Sequence, residues 1–186
     1  MIDNKVKGKH RGVTKDSLVI LVCMLCILTG LGSSFVAAEK QDGKPKKPRF
    51  ELSEKTLVDS KTKLMWPLNG HLAERTVSWN GAFEFIDSMN KTGYGGHKNW
   101  RLPSREELET LVGYAQEQGF GSDPVRTVAA GLNALGMKDV KDDDYWTSTE
   151  HIYNSGEAWF VNLKHGRAGT GMKTLYFSIL PVRSVP

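Results

Sequence analysis

The residues that could carry chemistry are few and far apart. The histidines beyond the N-terminal segment are His71, His97, His151 and His165, and none shares a local motif with a carboxylate. H-E-x-x-H, G-x-S-x-G and a phosphate-binding glycine loop are all missing, so no zinc-protease, serine-hydrolase or nucleotide motif is written into the chain. Asp142-Asp143-Asp144 offers hard oxygen ligands, but calcium loops place them at alternate positions, and this run reads as a solvated loop. Cys23 and Cys26 are the only cysteines. They stand inside an apolar run, so the rest of the chain has no thiol nucleophile, disulfide or cysteine metal site. The sequence therefore predicts no enzyme, no cofactor and no metal centre.

Aromatic residues are the other chemistry on offer. Trp66, Trp79, Trp100, Trp146 and Trp159 could stack on the apolar face of a pyranose. The first four fall in strand-like or helix-stripe settings and are expected in the core. Trp159 is the one retained as a ligand candidate. With it stand His151, Tyr153 and Asn154 in the segment Glu150–Gly156, and His165 and Arg167 in the segment Lys164–Met172. Irregular segments on a rigid sheet are where recognition residues concentrate. Arg101 and Glu107 read instead as structural, because Ser104 and Glu107 already form an S-x-x-E capping box.

Charge narrows the partners. The whole chain has 25 basic and 21 acidic residues, a formal net charge of +4. Residues 1–38 hold five of the basic and two of the acidic residues, and residues 39–49 hold five and two, which leaves 15 against 17, or −2, in residues 50–186. The basic character thus belongs to the N-terminal segments, and the remaining chain is not expected to bind nucleic acid.

Those segments have their own meaning. Lys5, Lys7, Lys9, Arg11 and Lys15 precede the uncharged run Leu18–Leu31, and Val36-Ala37-Ala38 follows. This pattern predicts a secretory signal peptide over residues 1–38, cleaved after Ala38, with membrane contact only in transit. Leu18–Ala38 is also long enough to be retained as an anchor, at about 20 residues per crossing. Glu39–Arg49 is polar and contains two prolines, and it reads as a disordered basic linker.

Residues 50–186 are expected to be one domain. Short strands flank the turn-rich Asp59–Lys63. Ser78 caps a helix to Asn90, with Trp79, Ala82, Phe83, Ile86 and Met89 at helical spacing. A second helix starts at Ser104 and buries Leu108, Leu111, Val112 and Ala115. A short third helix fits near Val125–Leu135. Tyr145–Thr149, Glu157–Leu163 and Leu175–Val185 read as strands, and the glycine-rich Lys164–Met172 as a turn or mobile loop. Early helices and late strands imply an α+β fold with a small antiparallel sheet.

Four ordered blocks carry a resemblance. They are Val58–Trp66; the Trp79–Met89 helix; Asn99-Trp-Arg-Leu-Pro-Ser-Arg-Glu-Glu-Leu108; and Tyr145-Trp-Thr-Ser-Thr149 with Ala158-Trp-Phe-Val-Asn162 and Val182-Arg-Ser-Val185. Together they resemble the Lcl C-terminal domain family, named for the end of a Legionella collagen-like protein. The resemblance implies a C-type-lectin-like fold in which two helices flank a small antiparallel sheet and the terminal strands pair. It also implies adhesion and binding of sulfated glycosaminoglycans, for which the net charge of −2 supplies no bulk attraction. The function expected is an exported, noncatalytic binding module, periplasmic or at the cell surface, for glycans, sulfated polysaccharides or other extracellular polymers. A structural or accessory subunit with envelope protein partners is the alternative.

Overall fold

A computed structural model describes residues 48–186; the expected signal peptide and most of the expected linker lie outside the described residues. Among the described residues, seven strands and three α-helices follow in order: β1 Phe50–Leu52, β2 Thr56–Asp59, β3 Leu64–Pro67, α1 Trp79–Thr92, α2 Arg105–Glu117, α3 Val128–Leu135, β4 Asp144–Glu150, β5 Glu157–Asn162, β6 Arg167–Met172 and β7 Arg183–Ser184. A short 3-10 turn, Tyr94–Gly96, follows α1. The strands form two antiparallel sheets, β1-β2-β3-β7 and β4-β5-β6. The α+β class expected from the sequence is therefore observed among the described residues, with two small sheets rather than one, and the short third helix read near Val125–Leu135 is present as α3.

The terminal strands do not pair with each other. Two successive hairpins lay β1 outside β2, and β7 takes the free edge of β3, with Leu64 opposite Ser184 and Met65 opposite Arg183. The reason is burial. All four residues of β3 are buried, so its edge requires a partner, whereas β1 is mostly exposed. The expected strand over Leu175–Val185 shrinks to β7, because Phe177, Ser178 and Val182 make isolated bridges to Val77, Tyr145 and Arg101 instead of one ladder. That segment is a strap joining three elements. Conversely, the expected loop over Lys164–Met172 contains β6.

Strand alternation sorts side chains into two cores. Leu57, Leu64 and Trp66 enter one core with Leu108, Leu111 and Val112 of α2, Leu132 of α3, Tyr145 and Val161. Met65 enters the other with Ala82, Ile86 and Met89 of α1, Trp100, Trp146, Ala158 and Ile179. On β4, adjacent Tyr145 and Trp146 face opposite cores, so this strand is the wall between them. Phe83, expected on the buried stripe of α1, is exposed, and Trp79 is half-buried. Trp79 is the first residue of its helix and packs at the margin of the second core, and Phe83 lies edge-on against it with ring centroids 4.6 Å apart.

Local signals act as the residue types require. The Ser78 hydroxyl accepts from the Gly81 N–H at 3.2 Å. Ser104 accepts from the Glu107 N–H at 3.2 Å, and Glu107 accepts from the Ser104 N–H at 2.8 Å, closing the capping box. Glu107 also receives Arg101 through two hydrogen bonds of 2.7 Å, a planar fork on a carboxylate. That bond to Arg101 leads, and the Ser104 N–H assists, in holding the Glu107 carboxyl below its ordinary range despite burial.

The linker reading fails at its last residue. Arg49 is anchored, not solvated: its Nε and Nη2 donate to Asp59 at 3.0 and 2.8 Å. The Asp59 side chain is 0% exposed and the Arg49 side chain 21%. The guanidinium also lies 4.8 Å from the Phe50 ring and 5.1 Å from the Tyr114 ring. The sequence hides this anchor because a lone arginine after two prolines looks like linker until a buried carboxylate is placed beside it.

Burial works to raise the Asp59 carboxyl, but the Arg49 bonds and the Lys61 N–H outweigh it and leave it below the ordinary aspartate value. A group with a depressed folded value adds stability that is complete above its unfolded value, about pH 3.9, and is lost as pH falls through the folded value. Arg49→Met, which strands a buried charge, is expected to cost about 3 kcal/mol in urea denaturation at pH 7. Asp59→Asn is expected to flatten the loss of stability below about pH 4. Ser104→Ala is expected to cost about 1 kcal/mol through the lost cap, read by the same denaturation.

Candidate functional site

The β4–β5 connection builds the candidate site. A register irregularity interrupts the pairing between Trp146 and Glu150, and the chain leaves β4 turned outward. Residues 151–156 are then braced by their own polar groups. The His151 N–H donates to the Glu157 carbonyl at 3.1 Å. Asn154 Oδ1 accepts from the Gly156 N–H at 3.0 Å, and Asn154 Nδ2 donates to Glu157 Oε1 at 2.9 Å. The Tyr153 N–H donates to His151 Nδ1 at 3.3 Å. Asn154 thus shapes the loop. Ile152 and Tyr153 are left 80% and 89% exposed at its tip.

Beneath this loop lies a cleft of about 450 Å³ lined by Arg105, Glu106, Thr149, Glu150, His151, Ile152, Tyr153 and Trp159. Its floor is a stacked pair, with the Arg105 guanidinium 4.5 Å from the centre of the Trp159 ring. Arg105 is the first residue of α2, and its N–H donates to the Thr149 hydroxyl at 3.0 Å, tying the helix start to the end of β4. Thr147 holds Trp159 from the other side, its hydroxyl donating to the Trp159 carbonyl at 2.7 Å. Trp159 is half-buried, between the core fate of Trp66, Trp100 and Trp146 and full exposure. Thr147 thus holds the Trp159 backbone, and Arg105 covers the ring.

The rim of the cleft is acidic. Glu106 and Glu109 flank Arg105, at 3.4 and 3.7 Å from its guanidinium, and Glu150 pairs with Lys173. Glu157 stands at the loop base on Asn154. Bonding to its own N–H and to the Ser104 hydroxyl holds the Glu106 carboxyl below its ordinary range, so it stays ionised. Neutral or positively charged ligand groups suit this rim better than sulfate.

The remaining candidates are elsewhere. His165 lies in the β5–β6 turn and Arg167 opens β6 opposite Asn162, whereas the cleft meets β5 at its Glu157 end. The strand between those ends spans about 16 Å at 3.3 Å per residue. Asn162 organises the turn, its Oδ1 accepting from the N–H groups of Lys164 and His165 at 3.1 and 2.9 Å. Gly166 sits there with φ 69°, and a Cβ would meet Gln116 and Val112 at 2.7 Å, so no larger residue fits. Lys164, His165 and Arg167 make this end basic. The structure thus divides the expected residues into an aromatic cleft (His151, Tyr153, Trp159, with Asn154 behind it) and a basic hairpin end (His165, Arg167).

Arg105, Thr149 and Glu150 line the cleft and were not among the expected residues. Arg105 lies inside a block that reads as a helix start, and only the tertiary approach of β5 makes it a floor. The Asp142–Asp144 run is structural in part. Asp143 accepts from the Ser178 hydroxyl at 2.7 Å, and Asp144 accepts from Asn162 Nδ2 at 2.8 Å. Among the described residues no group of three or more His, Cys, Asp or Glu side chains is arranged to hold a metal ion. A larger cleft, about 540 Å³, opens between Ser53–Thr56 and Thr92–Gly96, but its one aromatic hydroxyl, on Tyr94, is spent on the Lys55 carbonyl.

Comparison with known proteins agrees with the blocks laid out along these elements. The family model for the Lcl C-terminal domain matches residues 55–183, from the start of β2 into β7, and includes both ends of the β5–β6 hairpin. That family is named for the C-terminal domain of a collagen-like protein and is not a known enzyme family. Nothing among the curated proteins compared matches the chain. With well over half of its length matched, the chain belongs to the Lcl C-terminal domain family.

Proposed function

We propose that this protein is an exported, noncatalytic binding module on a C-type-lectin-like scaffold, and that it holds a glycan or similar extracytoplasmic polymer in the Arg105–Trp159–Tyr153 cleft. The observation that carries the reading is the pairing of a half-buried Trp159 with a Tyr153 that is 89% exposed. A sugar presents an apolar face for such rings and hydroxyls for the polar residues around them. His151, Glu150 and Thr149 supply those polar partners in the same cleft. The acidic rim favours an uncharged or amine-bearing sugar at this site.

A sulfated polysaccharide would engage the opposite end of the hairpin. Lys164, His165 and Arg167 lie at that end, and Gly121, whose N–H donates to the Arg126 carbonyl, stands beside the turn. Export is supported by the charged and apolar N-terminal segments read from the sequence. A second reading, an accessory subunit of an envelope assembly, is favoured by the apolar side chains left exposed at the cleft end of the sheet: Ile152, Met172, Leu175 and Tyr176.

A glycan array probed with residues 48–186, the span that holds both cores, at low and high salt separates these readings. Stacking on uncharged glycans is expected to survive 0.5 M salt (an ionic strength where screening acts within about 5 Å), whereas sulfated ligands are expected to be lost. Tyr153→Ala and Trp159→Ala are each expected to weaken the uncharged ligand about fivefold to tenfold. His165→Ala with Arg167→Ala is expected to lower only the salt needed for elution from heparin. No retention of any glycan, together with capture of a defined envelope protein, would replace this reading with the accessory one.

A further inference from the structure

The cleft beneath the β4–β5 connection holds a guanidinium whose donors are unspent. Among the described residues, Arg105 Nε is buried and has no hydrogen-bond partner. The carboxylates beside the group, Glu106 and Glu109, stand at 3.4 and 3.7 Å. Both are longer than the roughly 2.7–2.9 Å of a charge-assisted hydrogen bond. Other arginines of the fold differ. Arg101 and Arg183 each set a nitrogen 2.7 Å from an acceptor, and Arg49 sets one at 2.8 Å. Arg105 is held by stacking on the Trp159 ring instead. A guanidinium carries its N–H donors in a rigid fork, and a shielded donor left unmet costs free energy that a bound acceptor recovers.

Charge narrows the acceptor. A carboxylate or sulfate is the usual partner of such a fork. Here Glu106 and Glu109 already flank the guanidinium, and Glu150 lines the same cleft. Lys173 answers Glu150, which leaves Arg105 against two carboxylates. A further anion is therefore repelled. An ammonium suits the acidic rim, but it would face the guanidinium and leave its donors empty. A neutral carbonyl oxygen meets both conditions.

The cleft also offers an acceptor and an apolar wall. The Glu106 side chain is 64% exposed and can accept from a ligand N–H. Ile152 lines the cleft and is 80% exposed, an aliphatic group for which sugar hydroxyls have no use. Carbonyl oxygen, N–H and methyl occur together in one small group, the acetamide. We propose that the cleft selects sugars bearing an acetamido group, with Arg105 donating to its carbonyl, Glu106 accepting from its N–H and Ile152 covering its methyl. This rests on the glycan reading of the same cleft and names the sugar class within it: N-acetylated hexosamines in an otherwise neutral chain. Arg105 and Ile152 are then the residues that set specificity, while Trp159 and Tyr153 supply stacking that any pyranose could use.

Titration calorimetry of residues 48–186 with three β-1,4-linked trisaccharides tests the proposal. Tri-N-acetylchitotriose, chitotriose and cellotriose differ only at carbon 2, which bears acetamide, ammonium or hydroxyl. The acetamido trimer is expected to bind at least about tenfold more tightly than either of the others, because a site built to hydrogen-bond a group rejects the analogue lacking it. Arg105→Met keeps a long side chain over Trp159 without the donors and is expected to cut that preference to about threefold or less. Should that variant unfold, Ile152→Ser decides, since an exposed loop tip tolerates the change. It is expected to weaken binding of the acetamido trimer about threefold to fourfold. Equal binding of the three trimers, or tightest binding of the ammonium trimer, would overturn the proposal and leave the glycan reading standing. So would tighter binding of a hyaluronan tetrasaccharide, whose carboxylates would show Arg105 taking an anion, or a preference untouched by both variants. Failure of all three trimers beside an array that retains other glycans would count the same way. Failure of the trimers and of every glycan on the array would remove both readings.

Discussion

The Trp146 indole donates to the Val77 carbonyl at 2.9 Å from a fully buried site, and the packing of both sheets depends on that contact. Val77 belongs to the segment that leads into α1 and also bridges Phe177 of the C-terminal strap. Trp146 stands on β4, the strand that separates the cores, and stacks on Phe177 with centroids 4.4 Å apart. One indole thus joins a strand, a helix entry and the strap around a single buried hydrogen bond. The same device recurs. Trp79 Nε1 donates to the Thr147 carbonyl at 2.8 Å, and Trp100 Nε1 to the Tyr94 carbonyl at 3.0 Å. Without any cysteine after Cys26, long connections are pinned by large rings whose single donor finds a loop carbonyl. Trp66 departs from this pattern: its Nε1 is buried without a partner among the described residues, at an expected cost of about 1–3 kcal/mol.

How much of this was legible depends on the range of the physics. Caps are local, so Ser78 and the Ser104–Glu107 box could be read directly, and both helix starts follow from them. The Arg101–Glu107 fork was readable as structure because the capping role of Glu107 already fixed where its carboxylate would be. Strand pairing is not local. Met65 opposite Arg183 involves chain ends that carry no information about each other's register, so the terminal pairing expected from the resemblance is displaced by two strands, from β1 to β3. β6 was missed for a compositional reason. Its glycines mark a flexible loop by propensity, but here they exist because Phe160 and Phe177 fill the space where their side chains would be.

The candidate site shows the same limit. Tyr153 and His151 were accessible to sequence reasoning because a short polar segment between two strands must be a surface turn. Arg105 was not, since its helical position explains its presence without reference to β5. It took the tertiary approach of Trp159 to make that arginine a floor. His165 and Arg167 group with the others in the sequence because Lys164–Met172 reads as a second irregular loop on the same sheet. A hairpin puts residues adjacent in sequence at opposite ends of a strand when the strand itself lies between them.

That separation has a physical consequence. The span from Glu157 to Asn162 is rigid, buried at Ala158 and Val161 and clamped by the glycine face of β6. A rigid strand keeps the aromatic end and the basic end from collapsing into one site, so their chemistries stay distinct. The acidic carboxylates Glu106, Glu109 and Glu150 lie around the aromatic end, and Lys164, His165 and Arg167 around the other. With a screening length of about 8 Å at physiological salt and ends about 16 Å apart, neither end neutralises the other. A domain with almost no net charge can therefore present two locally opposite surfaces. Net charge is a poor guide to what such a scaffold holds, and the identity of each end has to be argued from the side chains that the hairpin places there.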